Sequence, residues 1–255
     1  MKIIRFCFNN RVSYGILDNH EVRELHYTIY NGLNETGSIF ELDLITVLTP
    51  VVPKKIIGLG YNYKDLVGKR VNYDEPVIFL KSPESVIGNG DCILIKEHNK
   101  VWSEVELCIV IGKVCDNISI NDACSNIFGY TIGNDVTMEN IHDRDHHLAR
   151  SKAWDTFCPL GPHIETDLNT DDLSLENSIN GVTFQKGNTR NRIWSDFEIV
   201  SHVSKIIKLL PGDIIMTGTP KNAEKSVIRH GDKIVISIEG IGILNNSVKV
   251  LNTDS

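Results

Sequence analysis

The sequence lacks a long apolar run. Its N-terminus, MKIIRFCFNNRVSYG, shows neither a signal peptide nor a membrane anchor, because each requires a continuous apolar segment. Lys and Arg are scattered along a chain whose formal net charge is −7, so no basic patch indicates a nucleic-acid surface. We therefore expect no membrane and no nucleic acid among its partners.

Paired cysteines are missing as well. None of the six cysteines belongs to a CxxC pair, and several of them lie in apolar, strand-like runs. A cysteine in such a run is usually a small buried hydrophobe. The sequence also contains no internal repeat and no low-complexity tract. These features favour a soluble protein in a reducing, cytoplasmic setting.

Helical patterns are scarce in these 255 residues, and short strand-like runs dominate. The clearest helix is SDFEIVSHVSKIIKLLPGD, in which Ser195 and Glu198 form a capping box and Pro211 stops the helix. The dipeptide Asn180-Gly181 predicts a tight hairpin turn. Because helices do not alternate with strands, the pattern predicts a sheet-rich α+β fold and not a doubly wound one.

The prolines of ELDLITVLTPVVPKK indicate a connection between two units. We expect residues 1–53 to form a small β-rich N-terminal domain and residues 54–255 to form the main domain. A chain of this length with 41% hydrophobic residues can bury a sizeable core in one or two domains.

The stretch VWSEVELCIVIG has the apolar character of a buried strand, yet it contains two glutamates. Since side chains alternate between the faces of a strand, Glu104 and Glu106 share one face with Cys108. Two neighbouring carboxylates repel each other, and burial also removes their hydration. Either the two glutamates lie on the solvated face of a half-exposed strand, or something in the fold compensates their charge.

A divalent cation would provide that compensation. Hard cations such as Mg²⁺ prefer carboxylate oxygens, and their charge turns the repulsion between neighbouring carboxylates into attraction. Asp135, at the end of the apolar run GYTIGNDVT, offers a third carboxylate. The pattern alone leaves the metal site and the solvated face open.

Six motifs, taken together, carry a resemblance to a known family. They occur in the order VWSEVELCIVIGK, GYTIGNDVT, KAWDTFCPLGP, the segment from Asn180-Gly181 to Gln185, LLPGDIIMTGTP and GDKIVISIEGIG. From about Lys54 to Leu251 the chain resembles the fumarylacetoacetate hydrolase (FAH) family, near its oxaloacetate tautomerases, acylpyruvases and 2-hydroxyhepta-2,4-diene-1,7-dioate isomerases. The resemblance implies a mixed β-sandwich roll with few helices, assembled as a homodimer.

The resemblance also implies roles for individual residues. Glu104, Glu106 and Asp135 take the positions of the ligands to Mg²⁺ or Mn²⁺, the ion that stabilises an enolate of a small 2-oxo or 1,3-diketo acid. Lys152 takes the position of the lysine that hydrogen-bonds or exchanges a proton with that enolate. The residues implied to contact the small anionic substrate are Gly218 and Thr219 of the Gly-Thr-Pro turn, Gln185 and His142.

The chain departs from the hydrolytic members of the family at several positions. Leu66 stands at the position of a histidine, and Lys69 at that of a glutamate, in the dyad that activates water. Glu139 stands where an arginine usually binds an anionic substrate. Metal ligands and a lysine without this dyad favour isomerisation or tautomerisation of a 2-oxo acid. The alternatives are hydrolysis of an acylpyruvate-like C–C bond, with His142 or another histidine as the base, and a member that binds a metal or a small acid without catalysis.

Overall fold

The computed structural model describes residues 1–26, 29–67, 74–96, 99–140 and 145–251. The strands are β1 Lys2–Phe8, β2 Arg11–Asp18, β3 Glu21–Leu25, β4 Glu35–Glu41, β5 Thr46–Leu48, β6 Ile56–Gly60, β7 Val77–Lys81, β8 Val86–Ile87, β9 Cys92–Ile95, β10 Val101–Trp102, β11 Val105–Ile111, β12 Ile127–Asn134, β13 Thr137–Met138, β14 Cys158–Glu165, β15 Ser174–Ile179, β16 Val182–Asn188, β17 Ile214–Met216, β18 Lys233–Ile238 and β19 Gly242–Val250. The α-helices are α1 Lys64–Val67, α2 Ile120–Ala123, α3 Ala149–Lys152 and α4 Asp196–Ile206. The predicted sheet-rich class is confirmed.

The largest element of the described structure is a twelve-stranded sheet. Its main path runs β4-β3-β2-β1-β14-β12-β11-β17-β6-β7, while β5 pairs with β1 and β8 pairs with β14. Strands β11 and β12 are antiparallel, and β17 pairs with the other side of β11. Strand β11, which carries Glu106, therefore lies inside the sheet, between β12 and β17, two strands that are distant from each other in sequence.

A five-stranded sheet, in the order β16-β15-β18-β19-β9, covers one face of the large sheet. The main hydrophobic core lies between them, and it includes Leu107 and Ile109 of β11 and Ile236 of β18. Cys108 and Val110 belong to a second core on the opposite face of β11. The predicted alternation of this strand is confirmed, but both of its faces are buried.

The N-terminal strands β1 to β5 extend the large sheet. Strand β1 pairs with β14, with Lys2 opposite Glu165 and Ile3 opposite Ile164. The sheet is thus continuous across residue 53, and the division into two domains stays a prediction. None of the described helices is both long and apolar enough to cross a membrane.

Local turn and cap signals in the sequence are confirmed, with one difference in extent. Asn180 and Gly181, with φ of +52° and +80°, connect β15 to β16. Ser195 accepts a hydrogen bond from the Glu198 N–H, and the Glu198 side chain accepts one from the Ser195 N–H. Helix α4 ends at residue 206, before the predicted stop at Pro211, because Leu209 exchanges backbone hydrogen bonds with Cys115.

Acid should destabilise the fold through His163, which is buried on β14 and whose Nε2 has no hydrogen-bond partner among the described residues. Burial and the nearby charge of Lys2 lower the pKa of His163 from 6.5 to about 4. Because the unfolded chain binds the proton more readily between these two values, the free energy of unfolding should fall by about 3 kcal/mol as the pH falls from 6.5 to 4.

Urea unfolding of the parent and of His163→Gln at both pH values measures this contribution. On acidification the free energy of unfolding should fall by about 3 kcal/mol less in this variant than in the parent. In the control His20→Gln, a change at an exposed turn, it should fall by as much as in the parent. Identical acid dependence of the parent and His163→Gln would contradict the assignment.

Candidate metal centre

The pairing of β11 with β12 brings the three acidic residues together. Because the strands are antiparallel, the start of β11 lies beside the end of β12, with Val105 opposite Asn134. The Asp135 N–H donates to the Glu104 carbonyl at 3.0 Å. Carboxylate oxygens of Glu104, Glu106 and Asp135 lie within 4.8 Å of one another. The three side chains are buried, so the interpretation of a solvated face is wrong.

Fixed donors hold one oxygen of each glutamate. Oε1 of Glu104 accepts hydrogen bonds from Trp102 Nε1 at 2.6 Å and from Thr137 Oγ1 at 3.1 Å. Oε2 of Glu106 accepts one from the Gly218 N–H at 2.7 Å. These contacts fix the orientation of both carboxylates.

Two lysines contact Asp135. Lys81, whose side chain is fully buried, donates to Oδ1 at 2.6 Å, and Lys152 donates to Oδ2. Lys152 Nζ also donates to Glu104 Oε2 at 3.3 Å and to Thr137 Oγ1 at 2.6 Å. The Lys152 ammonium therefore contacts carboxylate oxygens of two of the three acidic residues, Glu104 and Asp135.

Burial and the neighbouring charges shift the pKa values of the three carboxyl groups. Burial raises the pKa of Glu106 well above its usual value, and the charges of Asp135 and Glu104 raise it further. Burial also raises the pKa of Glu104, against the opposing effect of Lys152. For Asp135, burial acts in the same direction, but the two lysines outweigh it and the pKa is lowered.

The same acids keep Lys152 protonated. Burial acts to lower the pKa of this lysine, but the charges of Asp135 and Glu104 outweigh it, so that the pKa is raised. The ammonium also lies 4.9 Å from the centre of the Phe79 ring, a favourable cation–π distance. Lys152 is thus a charged hydrogen-bond donor at this site.

A cavity of about 380 Å³ opens onto the cluster. Of the residues implied by the resemblance, Glu104, Glu106, Asp135, Lys152 and Thr219 line it. Other parts of its wall are apolar and come from Leu59, Tyr61, Leu66, Phe79, Trp102, Leu148 and Ala223. The structure thus combines a charged floor with a largely apolar wall, which suits a small organic acid.

Gln185 lies behind this wall. It is fully buried, its Nε2 donates to Thr219 Oγ1 and to the Pro220 carbonyl, both at 3.0 Å, and its Oε1 accepts from the Val105 N–H. Gln185 therefore holds Thr219 in place. Its direct contact with a substrate stays a prediction.

Glu139, which the sequence also singled out, is not among the described residues that line the cavity. Glu139 is exposed, and its N–H donates to the Lys100 carbonyl. His142 and Lys69 lie outside the described residues. Leu66, to which the resemblance assigns the position of the hydrolytic histidine, lines the cavity.

The sequence patterns did not single out Lys81. In the run VIFLKSP it shares a strand face with Phe79, because the two residues are two apart. A lysine inside an apolar strand is the available signal, since a buried lysine requires a partner. That partner is Asp135, and Lys81 also donates to the Val136 carbonyl at 3.3 Å.

The donor set fits a hard divalent cation. Mg²⁺ and Mn²⁺ prefer oxygen ligands, and the cluster offers three buried carboxylates whose charges repel one another. Glu104, Glu106 and Asp135 would hold such an ion.

Two family models match the chain. Residues 55–249 match fumarylacetoacetate (FAA) hydrolase C-terminal, and residues 1–50 match Rv2993c-like, N-terminal. Among curated proteins, oxaloacetate tautomerase YisK of Bacillus subtilis is 37% identical over 234 residues, which cover 84% of this chain and 77% of that protein.

Solved structures share the fold. The crystal structure of 5-carboxymethyl-2-hydroxymuconate delta-isomerase from Mycobacterium smegmatis gives a TM-score of 0.91 at 35% identity, covering 98% of this chain and 100% of that chain. Maleylpyruvate hydrolase from Sphingobium sp. SYK-6, in complex with manganese(II) ion and pyruvate, gives 0.80 at 25% identity, covering 98% and 99%. The similar proteins thus include a tautomerase, an isomerase and a hydrolase.

Proposed function

Since the chain belongs to the fumarylacetoacetate hydrolase family, as its motifs predicted, we propose that it isomerises or tautomerises a small 2-oxo or 1,3-diketo acid with the help of Mg²⁺ or Mn²⁺. Members of this family named as tautomerases, isomerases and hydrolases are enzymes, and this chain is an enzyme of the family. The reaction, the substrate and the ion are the proposal.

One observation carries the choice of reaction. The cavity combines the acidic cluster and Lys152 with Leu66 at the position where hydrolytic members carry a histidine. A leucine cannot accept a proton, so this position cannot activate water for attack on a carbonyl. Moving a proton next to a ketone needs stabilisation of negative charge and an acid or base, and the cavity supplies both kinds of group.

The residues then take distinct roles. A bound Mg²⁺ or Mn²⁺ supplies Lewis-acid stabilisation of negative charge on the substrate's oxygens. Lys152 Nζ, which is protonated at this site, gives a proton to the substrate carbon and takes one from the enol hydroxyl, so the lysine ends the reaction in the form in which it began. Because Gln185 donates to Thr219 Oγ1, the Thr219 hydroxyl proton is free to bind a substrate carboxylate.

The second candidate is hydrolysis of an acylpyruvate-like C–C bond. It is favoured by the similarity to a maleylpyruvate hydrolase whose structure holds manganese and pyruvate. In this chain a base other than residue 66 would have to activate the water, and the candidates are His142 or another histidine.

Spectroscopic assay of oxaloacetate enol distinguishes these functions. With Mg²⁺ or Mn²⁺, the parent should accelerate the conversion of enol to ketone beyond the rate with the ion alone, and it should cleave acetylpyruvate slowly. Since free ions act on 2-oxo acids by themselves, the ion without protein and the chelated protein are the controls. Rapid acetylpyruvate cleavage would reverse the ranking of the two reactions, and an unchanged rate of enol conversion would overturn the proposed tautomerisation of oxaloacetate.

The setting and assembly of the enzyme also belong to the proposal. We infer a small anionic substrate, a homodimer and a cytoplasmic location. The six cysteines are free thiols, which agrees with a reducing compartment.

A further inference from the structure

Asn62 lies behind the cavity and joins two segments of the chain. It is 1% exposed, and it follows β6 directly after Tyr61, which lines the cavity. Its Oδ1 accepts a hydrogen bond from the Trp194 N–H at 2.9 Å, and its carbonyl accepts one from the Ile193 N–H at 2.8 Å. These bonds fix the position of its side chain.

The amide nitrogen of Asn62 points at the turn beside Glu106. Nδ2 donates to the Thr217 carbonyl at 2.7 Å, a contact between residues 155 apart in sequence. The carbonyl of Thr217 and the N–H of Gly218 belong to the same planar peptide group. That N–H donates to Glu106 Oε2, also at 2.7 Å.

One peptide group is therefore held from both ends. Asn62 holds its oxygen and Glu106 receives its hydrogen, so rotation of the peptide would break both bonds together. Gly218 adopts φ of +94°, and a Cβ there would lie 3.0 Å from the Asn62 Cβ, so the turn packs tightly against this residue.

Glu106 depends on this peptide for its orientation. Among the described residues, the hydrogen bond that the Glu106 side chain accepts comes from the Gly218 N–H. Glu104 and Asp135, in comparison, each accept hydrogen bonds from two or more side chains. A change at the Thr217–Gly218 peptide should therefore affect Glu106 most.

We propose that Asn62 is a positioning residue for Glu106, acting through the Thr217–Gly218 peptide, and thereby a determinant of divalent-cation affinity. This inference rests on the metal site of the proposed function. Partners that orient a ligand typically change metal affinity 10–100-fold when they are removed. Loss of the donor at Asn62 removes such a partner one peptide away from the carboxylate.

Mn²⁺ binding to the full chain, without substrate, tests the proposal. The dissociation constant, measured from the electron paramagnetic resonance signal of free Mn²⁺, should rise 10–100-fold in Asn62→Ala. Exchange of the Gly218 amide hydrogen, followed by NMR, should accelerate in the same variant because the peptide is then held from one end.

A second buried asparagine provides the matched control. Asn246 Nδ2 donates to the Gly88 and Asp91 carbonyls at 2.9 and 3.0 Å, and Asn246 is not among the described residues that line the cavity. Asn246→Ala should lower the melting temperature by a similar mechanism without changing the Mn²⁺ dissociation constant. Asn62→Ser, whose side chain is too short to reach the Thr217 carbonyl, replaces Asn62→Ala if the alanine variant does not fold.

The outcomes separate the two proposals. Tight Mn²⁺ binding by the parent, with an unchanged dissociation constant in a folded Asn62 variant, overturns the role of Asn62 and leaves the metal site intact. An equal loss of affinity in Asn246→Ala reduces the effect to general destabilisation and overturns the role as well. A parent that does not bind Mn²⁺ overturns this role together with the metal site.

Discussion

Without metal, Glu106→Gln should be at least as stable as the parent, and with Mn²⁺ it should be less stable than the parent. At neutral pH the buried Glu106 carboxylate is destabilising, since burial and the charges of Asp135 and Glu104 raise its pKa well above the usual value. The folded protein binds a proton at this group more readily than the unfolded chain does, so stability decreases as the pH rises. In metal-free buffer, Glu106→Gln should therefore melt at or above the temperature of the parent.

With Mn²⁺ present the order should invert. An ion at 100 times its dissociation constant adds about 2.7 kcal/mol to the stability of the parent, which for a chain of this size raises the melting temperature by roughly 5–11 °C. A neutral amide is a weaker ligand for a hard cation than a carboxylate, and it leaves less charge to be compensated. Glu106→Gln should lose most of this rise.

Thermal melts with and without Mn²⁺, after treatment with a chelator, give both measurements. Glu41→Gln, at an exposed position on β4, is the matched control and should show the full rise of the parent. If Mn²⁺ stabilises Glu106→Gln as much as the parent, Glu106 is not a ligand and the proposed site needs another set of residues.

The acidic cluster could be predicted from the sequence because its signal is local. Glu104 and Glu106 share a face of one strand by simple alternation, and Asp135 ends a second apolar run. The resemblance implied their proximity, and the pairing of β11 with β12 produces it. The capping box of Ser195 and the hairpin at Asn180-Gly181 were predictable for the same reason, since both depend on a few adjacent residues.

The residues behind the site could not be predicted in this way. The Lys81 contact with Asp135 spans 54 residues, and the Asn62 contact with Thr217 spans 155. Both depend on the strand order β11-β17-β6-β7 of the large sheet, which no local pattern encodes. Likewise, the resemblance implied Gln185 as a substrate contact, but no local pattern indicated the hydrogen bonds of its side chain to Thr219 and to backbone.

Removing the ammonium group of Lys152 should have the largest effect on turnover. Lys152→Met should lower turnover of oxaloacetate enol by roughly 10²–10⁴-fold, the usual contribution of a general acid or base. Methionine keeps an aliphatic side chain against Phe79, so the change removes the charge and the donor more than the packing. Mn²⁺ affinity should not fall, because the ammonium donates to oxygens of Glu104 and Asp135 that the ion would use.

Lys81→Met is the matched comparison for this variant. Both lysines are buried and both contact Asp135, but Lys152 lines the cavity, whereas Lys81 holds Asp135 from the other oxygen. Initial rates and Mn²⁺ titrations of the parent and both variants should therefore show a far greater loss of turnover for Lys152→Met than for Lys81→Met. Unchanged turnover in Lys152→Met would remove this lysine from the mechanism, and loss of Mn²⁺ binding would make its role structural, since a group that only moves a proton leaves the ion's ligands in place.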